Sequence, residues 1–161
     1  NPIEMEGTYP LPEAQLDRFM FNVFIDYLPF AEELEVVMKT TSRPSETIEP
    51  LFTGEDVMKF HSLVRGVPIA EKVAGYAVRL AAASRPNRSE SLPMTNDWIA
   101  WGAGLRAAQM LVLGAKARAL LQGRSHVEFE DIQALAKPTL RHRLILTYKA
   151  EAQGSTVEDC I

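Results

Sequence analysis

The chain has 161 residues, of which 47% are apolar and 24% charged, and its formal net charge is −4. These proportions are typical of a globular protein and exclude wholesale disorder. Its one cysteine, Cys160, leaves no disulfide within these residues and favours a reducing compartment, which predicts a cytoplasmic location. No apolar run reaches the roughly 18 residues that a membrane helix needs, so we expect no membrane span.

The charge is unevenly distributed. Residues 1–60 contain twelve acidic and four basic residues, residues 61–150 contain six and thirteen, and residues 151–161 contribute −3. Oppositely charged halves favour either head-to-tail assembly of subunits or two ordinary solvated surfaces. The basic residues are spread over ninety positions rather than clustered, which argues against a nucleic-acid partner.

The first predicted elements are a loop and a strand. Residues 1–18 are rich in Pro and Gly and predict a loop with one helical turn at 13–18. Residues 19–27 are apolar on both faces, aromatic and β-branched, which predicts a strand covered on both sides. No other segment predicts a strand. We therefore expect residues 19–27 to be disordered, or to pair with chain outside this sequence or with a second copy.

The rest of the chain predicts helices. A helix over 30–41 has an apolar stripe of Leu34, Val37 and Met38, and a polar linker follows at 42–50. Residues 51–150 predict a compact bundle of four or more helices. Residues 84–96 predict a loop within it.

Short motifs mark where some of these helices begin and end. Thr53, with Asp56 three residues later, predicts an N-cap, and Gly123 predicts the end of a long helix that begins near Leu105. The apolar stripe of that helix consists mostly of small residues, which permits close helix approach: Ala108, Leu111, Val112, Ala115 and Ala119. The residues from 151 onward predict a polar tail with a mobile end.

Candidate catalytic groups are few. His61, His126 and His142 have no partners at metal-ligand spacing, so we expect no metal site. Cys160 has no activating base nearby in the sequence. Neither the phosphate-binding loop G-x-x-x-x-G-K-[ST] nor the nucleophile motif G-x-S-x-G occurs.

Two segments place polar groups where ligands commonly bind. In residues 1–19 an amide and a Pro/Gly-rich loop are followed by Arg18, just ahead of the predicted strand, and ligand sites in α/β sheets lie at the ends of strands. In residues 101–107 glycines open a helix and Arg106 follows in its first turn, a pattern that suits a phosphate group. The ordinary alternatives are a plain loop and a solvent-facing arginine.

These segments resemble motifs of the MoxR-family AAA+ ATPases. Residues 1–19 resemble the stretch that begins with the sensor-1 asparagine and ends in Leu-Asp-Arg-Phe. Residues 102–107 resemble the sensor-2 motif Gly-Ala-Ser-Pro-Arg-Ala, with Gly104-Leu105 in place of Ser-Pro, which gives up a cap and some rigidity. The likeness continues through residues 115–124, 130–132 and 140–144, so it spans nearly the whole chain.

The resemblance implies a mainly α fold class: an all-helical AAA+ lid bundle preceded by the last strand and loop of an incomplete α/β core. The implied domains are a core remnant at 1–41, a linker at 42–50, the lid at 51–150 and a polar tail at 151–161. The Walker motifs that hold most of ATP and Mg²⁺ are then expected before residue 1. These 161 residues alone are expected not to hydrolyse ATP.

The resemblance also implies roles for single residues. Asn1 is implied as sensor 1, which contacts the γ-phosphate and orients the attacking water, and Arg18 as the arginine finger that reaches the next subunit's site. A salt bridge to a nearby carboxylate is the alternative for Arg18. Arg106 is implied as sensor 2, acting within its own subunit or across the interface. Residues 141–143 match a family signature, for which we infer only charge at a helix C-terminus.

The implied function is ATP-driven, chaperone-like remodelling or maturation of partner proteins. The implied partners are neighbouring subunits of a homo-oligomeric ring, a hexamer, and proteins with a von Willebrand factor A domain. A non-enzymatic helical interaction module is the main alternative. A DNA-associated AAA+ relative is a third, and the negative net charge disfavours it.

Overall fold

The computed structural model describes residues 9, 11–42 and 48–161. Most of these residues that have secondary structure are helical, which confirms the mainly α fold class. No helix among them is long and apolar enough to cross a membrane. Two short strands in the described chain form one antiparallel pair, so the region predicted as all-helical also contains a small sheet. Strands of three and two residues are too short to show an alternating pattern in the sequence. The elements are α1 (Glu13–Leu16), α2 (Phe30–Ser42), α3 (Gly54–Gly66), α4 (Glu71–Ala83), α5 (Pro93–Trp98), β1 (Ile99–Trp101), α6 (Leu105–Leu121), α7 (Phe129–Ala134), α8 (Ala136–Leu140), β2 (Ile145–Leu146), α9 (Tyr148–Ala152) and a 3-10 helix (Val157–Cys160).

The chain divides into two compact units. The small unit is residues 23–62, and the large unit is residues 1–22 together with 63–161. Among the described residues, the large unit contains α1, α4 to α9 and both strands, and the small unit contains α2 and most of α3. The domain division suggested by the sequence, with its linker at 42–50, stays a prediction.

The centre of the large unit is α6. Its buried face is made of Ala, Gly and one Leu, as the predicted stripe of small residues requires. Because small side chains let helices approach closely, α4 and α7 pack directly against it. Two clusters of buried apolar residues result, one of Val67, Val73, Ala77, Leu111, Ala115, Ala119, Val127 and Ile132, and one of Ala81, Ile99, Ala103, Ala107, Ala108, Ala136, Leu140 and Leu144.

The predicted end of α6 at Gly123 is confirmed. Gly123 has φ +72°, a conformation that glycine adopts without steric cost. Its amide donates to the Leu120 carbonyl oxygen at 2.9 Å, and the Arg124 amide donates to that of Ala119 at 2.8 Å. This pair of bonds satisfies the last carbonyl groups of the helix.

Asp131 is a fully buried carboxylate that joins α6 to α7. It accepts hydrogen bonds from Arg118 Nη1 at 2.6 Å, from Arg124 Nη1 at 2.7 Å and from the Glu128 amide at 2.9 Å. The hydrogen bonds from Arg124 hold the pKa of Asp131 well below its ordinary value, although burial opposes this. The carboxylate therefore stays charged, and its partners offset the cost of burying it.

The start of α6 is fixed by close backbone contact with the end of α4. A Cβ on Gly102 would lie 2.2 Å from the Ser84 carbonyl oxygen, so only glycine fits without a shift. Ser84 Oγ accepts from the Ala103 amide at 2.9 Å, and Arg85 Nε donates to the Ala103 carbonyl oxygen at 2.7 Å. These contacts set where the first turn of α6 begins.

In the small unit the predicted N-cap of α3 is confirmed. The Asp56 amide donates to Thr53 Oγ1 at 3.2 Å, and the Thr53 amide donates to Asp56 Oδ2 at 3.0 Å. Neither α2 nor α3 contains a buried residue. The predicted apolar stripe of α2 is accordingly exposed.

Residues 19–27, predicted as a strand, form no strand ladder with any part of the chain that the structure describes. Residues 21–29 have neither helical nor strand structure. Val23, Ile25 and Tyr27 are 69%, 94% and 82% exposed. Because exposed apolar segments of this kind favour pairing, the expected partner outside these residues stays a prediction.

Two segments of the large unit are more ordered than predicted. The loop expected over residues 84–96 contains the start of α5, where Pro93 occupies the first turn that its fixed φ suits. The tail expected to be mobile contains the 3-10 helix, which Thr156 and Asp159 cap reciprocally. Cys160 packs on the second apolar cluster. The loop prediction was therefore wrong for residues 93–96, because Pro93 was taken as a breaker where it starts a helix. In the tail, polar residues provide the cap of a helix, and the mobility of its end stays a prediction.

We predict that Asp131→Asn lowers the free energy of unfolding by about 2 kcal/mol at pH 7, because the buried carboxylate loses the charge-assisted hydrogen bonds that the partly exposed Arg118 and Arg124 donate to it. The folded-state pKa of Asp131 is lowered, so its stabilisation is present above the ordinary carboxyl pKa of 3.8 and is lost as the pH falls below it. Urea unfolding at several pH values should show that the difference in free energy of unfolding between the unmodified protein and Asp131→Asn becomes smaller towards pH 2. Asp97→Asn, at an exposed carboxylate, is the control. A gap that does not change with pH would contradict this role.

We predict that Gly102→Ala destabilises the protein by about 2 kcal/mol, because the added methyl group overlaps the Ser84 carbonyl oxygen. Gly104→Ala is the matched control, since a Cβ there meets nothing within 4 Å. It should cost about 0.5 kcal/mol, the lower end of the penalty for alanine at an N-cap. Thermal unfolding compares the two, and equal midpoints would show that the α4 contact does not require glycine.

Candidate functional site

The sequence assigns nucleotide chemistry to Asn1, Arg18 and Arg106. Asn1 lies outside the described residues. Arg18 lies in the turn directly after α1, and Arg106 is the second residue of α6. Arg18 and Arg106 both belong to the large unit, so their relative placement is part of one compact body.

Asp17 connects these two arginines. Its Oδ2 accepts a hydrogen bond from Arg106 Nη1 at 2.8 Å, and its Oδ1 accepts one from Arg143 Nε at 3.0 Å. The Arg106 side chain is 41% exposed, whereas that of Arg143 is 1% exposed. Since Asp17 directly precedes Arg18, one carboxylate ties the turn of Arg18 to the surface arginine of α6 and to a buried arginine after α8.

Arg18 differs from both of these arginines. Its side chain is exposed, and among the described residues it forms no ion pair and no side-chain hydrogen bond. The neighbouring carboxylate of Asp17 is already engaged by two other guanidinium groups. The salt bridge considered as an alternative is therefore not formed within the described chain, and the five N–H donors of Arg18 remain available to an external oxyanion.

Arg106 occupies a position where a cation is disfavoured. The N-cap of α6 is Gly104, which offers no capping side chain, and the helix dipole opposes a positive charge in the first turn by about 0.3–1 kcal/mol. The carboxylate of Asp17 compensates for this. Arg106 thus already binds an oxyanion at the start of a long helix, where unpaired backbone N–H groups favour negative charge.

His142 and a cleft lie beside this cluster. His142 Nε2 is 3.1 Å from the Phe19 carbonyl oxygen and 2.7 Å from Arg143 Nη1, and a neutral ring can donate to the first or accept from the second. Burial lowers the pKa of His142, so the ring is neutral at pH 7. A cleft of about 580 Å³ is lined by Asp17, Trp101, His142 and Arg143 among others.

Sequence reasoning missed Asp17 and Arg143. Both lie in segments that resemble family motifs, but 126 positions separate them, and no spacing rule joins residues so far apart. For Arg143 the sequence indicated only charge at a helix C-terminus. The structure places it instead in a buried contact with the turn of Arg18.

The remaining candidates stay apart from this cluster. Within the described ranges, no three side chains of His, Cys, Asp or Glu lie close enough to hold a metal ion, and the expected lack of a metal site stays a prediction. Burial raises the pKa of the Cys160 thiol, so this thiol is protonated at neutral pH.

Known proteins are similar to this chain in sequence. Residues 94–161 match the family model of the AAA lid domain, and residues 1–21 match that of the ATPase family associated with various cellular activities (AAA). The chain is 36% identical over 158 residues to chaperone MoxR1 of Mycobacterium tuberculosis and 39% identical over 159 residues to YeaC, an uncharacterised protein of Bacillus subtilis. Each match covers 98% of this chain, with 42% of MoxR1 and 47% of YeaC, so the chain spans about half the length of these curated relatives.

A solved structure has the same fold. The crystal structure of a proposed ATPase from Cytophaga hutchinsonii superposes with a TM-score of 0.90 at 37% identity, covering 99% of this chain and 49% of that one. The fold over these residues is therefore that of an AAA+ lid with its adjoining segment. With both family models in the expected order and relatives that match along almost all of its length, the chain belongs to the MoxR family of AAA+ proteins.

Proposed function

We propose that this chain is the lid-bearing part of an AAA+ ATPase that couples ATP hydrolysis to chaperone-like remodelling or maturation of partner proteins. Family membership supports the ATPase chemistry, and one relative is named a chaperone. The observation that carries the proposal is the exposed Arg18, which has no ion pair within the described chain and stands next to the engaged Asp17.

In this proposal Arg18 is the arginine finger of a neighbouring subunit's site. ATP supplies a terminal phosphoryl group whose transfer to water spreads negative charge over its oxygen atoms. Arg18 meets that charge with a planar set of N–H donors, and Asp17 does not neutralise it because that carboxylate serves Arg106 and Arg143. Such a guanidinium is worth roughly 10³–10⁵ in rate in related enzymes.

Arg106 has the sensor-2 role in the same proposal. Its guanidinium is partly exposed and holds one carboxylate oxygen, so a phosphate oxygen is a chemically equivalent replacement. If the Arg106 guanidinium exchanged the Asp17 carboxylate for a phosphate oxygen, the start of α6 would respond to whether a nucleotide phosphate is bound. In this role Arg106 contacts a phosphate that is bound either by the subunit containing Arg106 or by the neighbouring subunit.

The rest of the nucleotide site lies outside the described residues. Asn1 is assigned as sensor 1, which contacts the terminal phosphate and orients the attacking water. Most of ATP and its Mg²⁺ are assigned to residues outside this sequence, and the 161 residues alone are expected to be inactive.

The proposed assembly is a cytoplasmic ring of identical subunits, a hexamer. Because an arginine finger completes the nucleotide site of a neighbouring subunit, the proposed role of Arg18 supports such an assembly. The acidic first 60 residues and the basic stretch over 61–150 support head-to-tail contacts. Proteins with a von Willebrand factor A domain are the proposed clients, and nucleic acid is not.

A non-enzymatic interaction module is the second candidate function. The exposed apolar side chains of α2, among them Val37 and Met38, favour it because they form a surface suited to a partner. This candidate predicts that ATP changes neither the oligomeric state nor the partner affinity of the full-length protein. Sedimentation with and without ATP separates the two candidates.

We predict that Arg18→Ala in the full-length protein lowers kcat for ATP hydrolysis about 10³-fold, because charge on the transferred phosphoryl group loses its stabiliser. The KM for ATP should change less than about threefold, since most binding contacts come from other residues. Arg18→Lys should restore only part of the rate, because an ammonium group lacks the planar set of donors. Steady-state phosphate release measures all three proteins.

Arg79→Ala is the control, because Arg79 is also exposed and has no ion pair among the described residues. Its rate should equal that of the unmodified protein. An Arg18→Ala protein that hydrolyses ATP at the normal rate would contradict the finger assignment.

A further inference from the structure

Arg143 is a buried arginine without a place in the nucleotide chemistry proposed above. Its five N–H groups lie within hydrogen-bond distance of five oxygen atoms, and the ring nitrogen Nε2 of His142 lies 2.7 Å from Nη1 as a further neighbour. Nε donates to Asp17 Oδ1 at 3.0 Å, and Nη2 donates to the carbonyl oxygens of Asp17 at 2.8 Å and Phe19 at 2.5 Å. Nη1 donates to the carbonyl oxygens of Met20, at 3.4 Å, and Thr139.

Four of these five oxygens belong to the turn that contains Arg18. They come from residues 17, 19 and 20, so Arg143 holds the chain immediately before and immediately after Arg18. The Arg18 side chain takes no part in these bonds and stays exposed. The backbone of the turn is therefore fixed while its guanidinium remains available.

The other contacts of this turn lead into the helical body. Thr139, the fifth acceptor, belongs to α8. The segment after the turn packs on α6 at Gly114, where a Cβ would lie 2.8 Å from Phe21 Cζ and 3.3 Å from Met20 Cε. The turn is thus anchored to two helices of the large unit.

We propose that Arg143 is a positioning residue that fixes the Arg18 turn to the helical body, with the carboxylate of Asp17 extending the same contact to Arg106. Movement of the helices then carries the finger with it. Lysine cannot replace Arg143, because an ammonium group has three donors and cannot span five acceptors on both sides of the turn. Only the kinetic consequence of this inference rests on the proposed function.

Hydrogen exchange tests the positioning role without reference to activity. In the full-length protein, mass spectrometry would follow peptides that cover residues 13–22, where the amides of Asp17, Arg18 and Phe19 are hydrogen-bonded within the turn. Arg143→Lys should speed exchange of these amides at least about tenfold, because the turn opens more readily. Arg79→Ala should leave it unchanged. Unchanged exchange in Arg143→Lys would overturn the proposal.

Asp17→Asn is the second variant, used if Arg143→Lys does not fold. It keeps the three backbone acceptors of Arg143 in the turn and removes only the charged one. Exchange over residues 13–22 should rise by a smaller factor, about threefold, because the amide oxygen of asparagine can still accept from Arg143 and only the charge assistance is lost. Exchange equal to that of the unmodified protein would again overturn the proposal.

Steady-state kinetics separate positioning from a purely structural effect. Arg143→Lys should lower kcat at least about tenfold and leave the KM for ATP within about twofold. In an Arg18→Ala background the same change should cost nothing further, since positioning acts through Arg18. A loss in the double variant equal to the product of the two single losses would overturn the proposal. If the unmodified protein does not hydrolyse ATP, the proposed function fails, and the exchange result still decides the role of Arg143.

Discussion

A buried guanidinium must have both its charge and its N–H groups matched, and in this protein the turn after α1 provides most of that match for Arg143. Four of the five oxygens around Arg143 belong to residues that precede it by more than a hundred positions in the sequence. The fifth belongs to Thr139 of the neighbouring α8. Without the Asp17 carboxylate, the buried charge would be unpaired. The need to pair it therefore fixes the position of the turn, and with it the position of Arg18.

The three arginines at or near Asp17 have three different environments. Arg143 is buried and fully bonded, Arg106 is half exposed and shares Asp17, and Arg18 is exposed with no ion pair among the described residues. In the proposed mechanism Arg143 only stabilises the turn, Arg106 can exchange the Asp17 carboxylate for a phosphate oxygen, and Arg18 can bind a phosphate oxygen directly. Differences in burial and pairing, rather than residue type, thus separate the proposed positioning, sensing and catalytic roles.

Much of this architecture could be predicted from the sequence. Thr53 with Asp56, the small-residue stripe of α6 and Gly123 each carry a local signal, and the structure confirms them. Local signals misled where proline starts a helix, as at Pro93. Arg18 and Arg106 could be singled out by their motifs, but the Asp17–Arg143 contact could not, because pairing across 126 positions depends on how the helices pack.

In the proposed mechanism, Asp17 and Arg143 hold Arg18 in place to meet a phosphate group of a neighbouring subunit. The most direct test of this mechanism is a structure of the assembled full-length protein with a non-hydrolysable ATP analogue. We expect the Arg18 guanidinium within hydrogen-bond distance, about 3 Å, of a terminal phosphate oxygen across the subunit interface, with the Asp17–Arg143 contact intact. An Arg18 directed away from every bound nucleotide, or a turn detached from Arg143 in that state, would contradict the account.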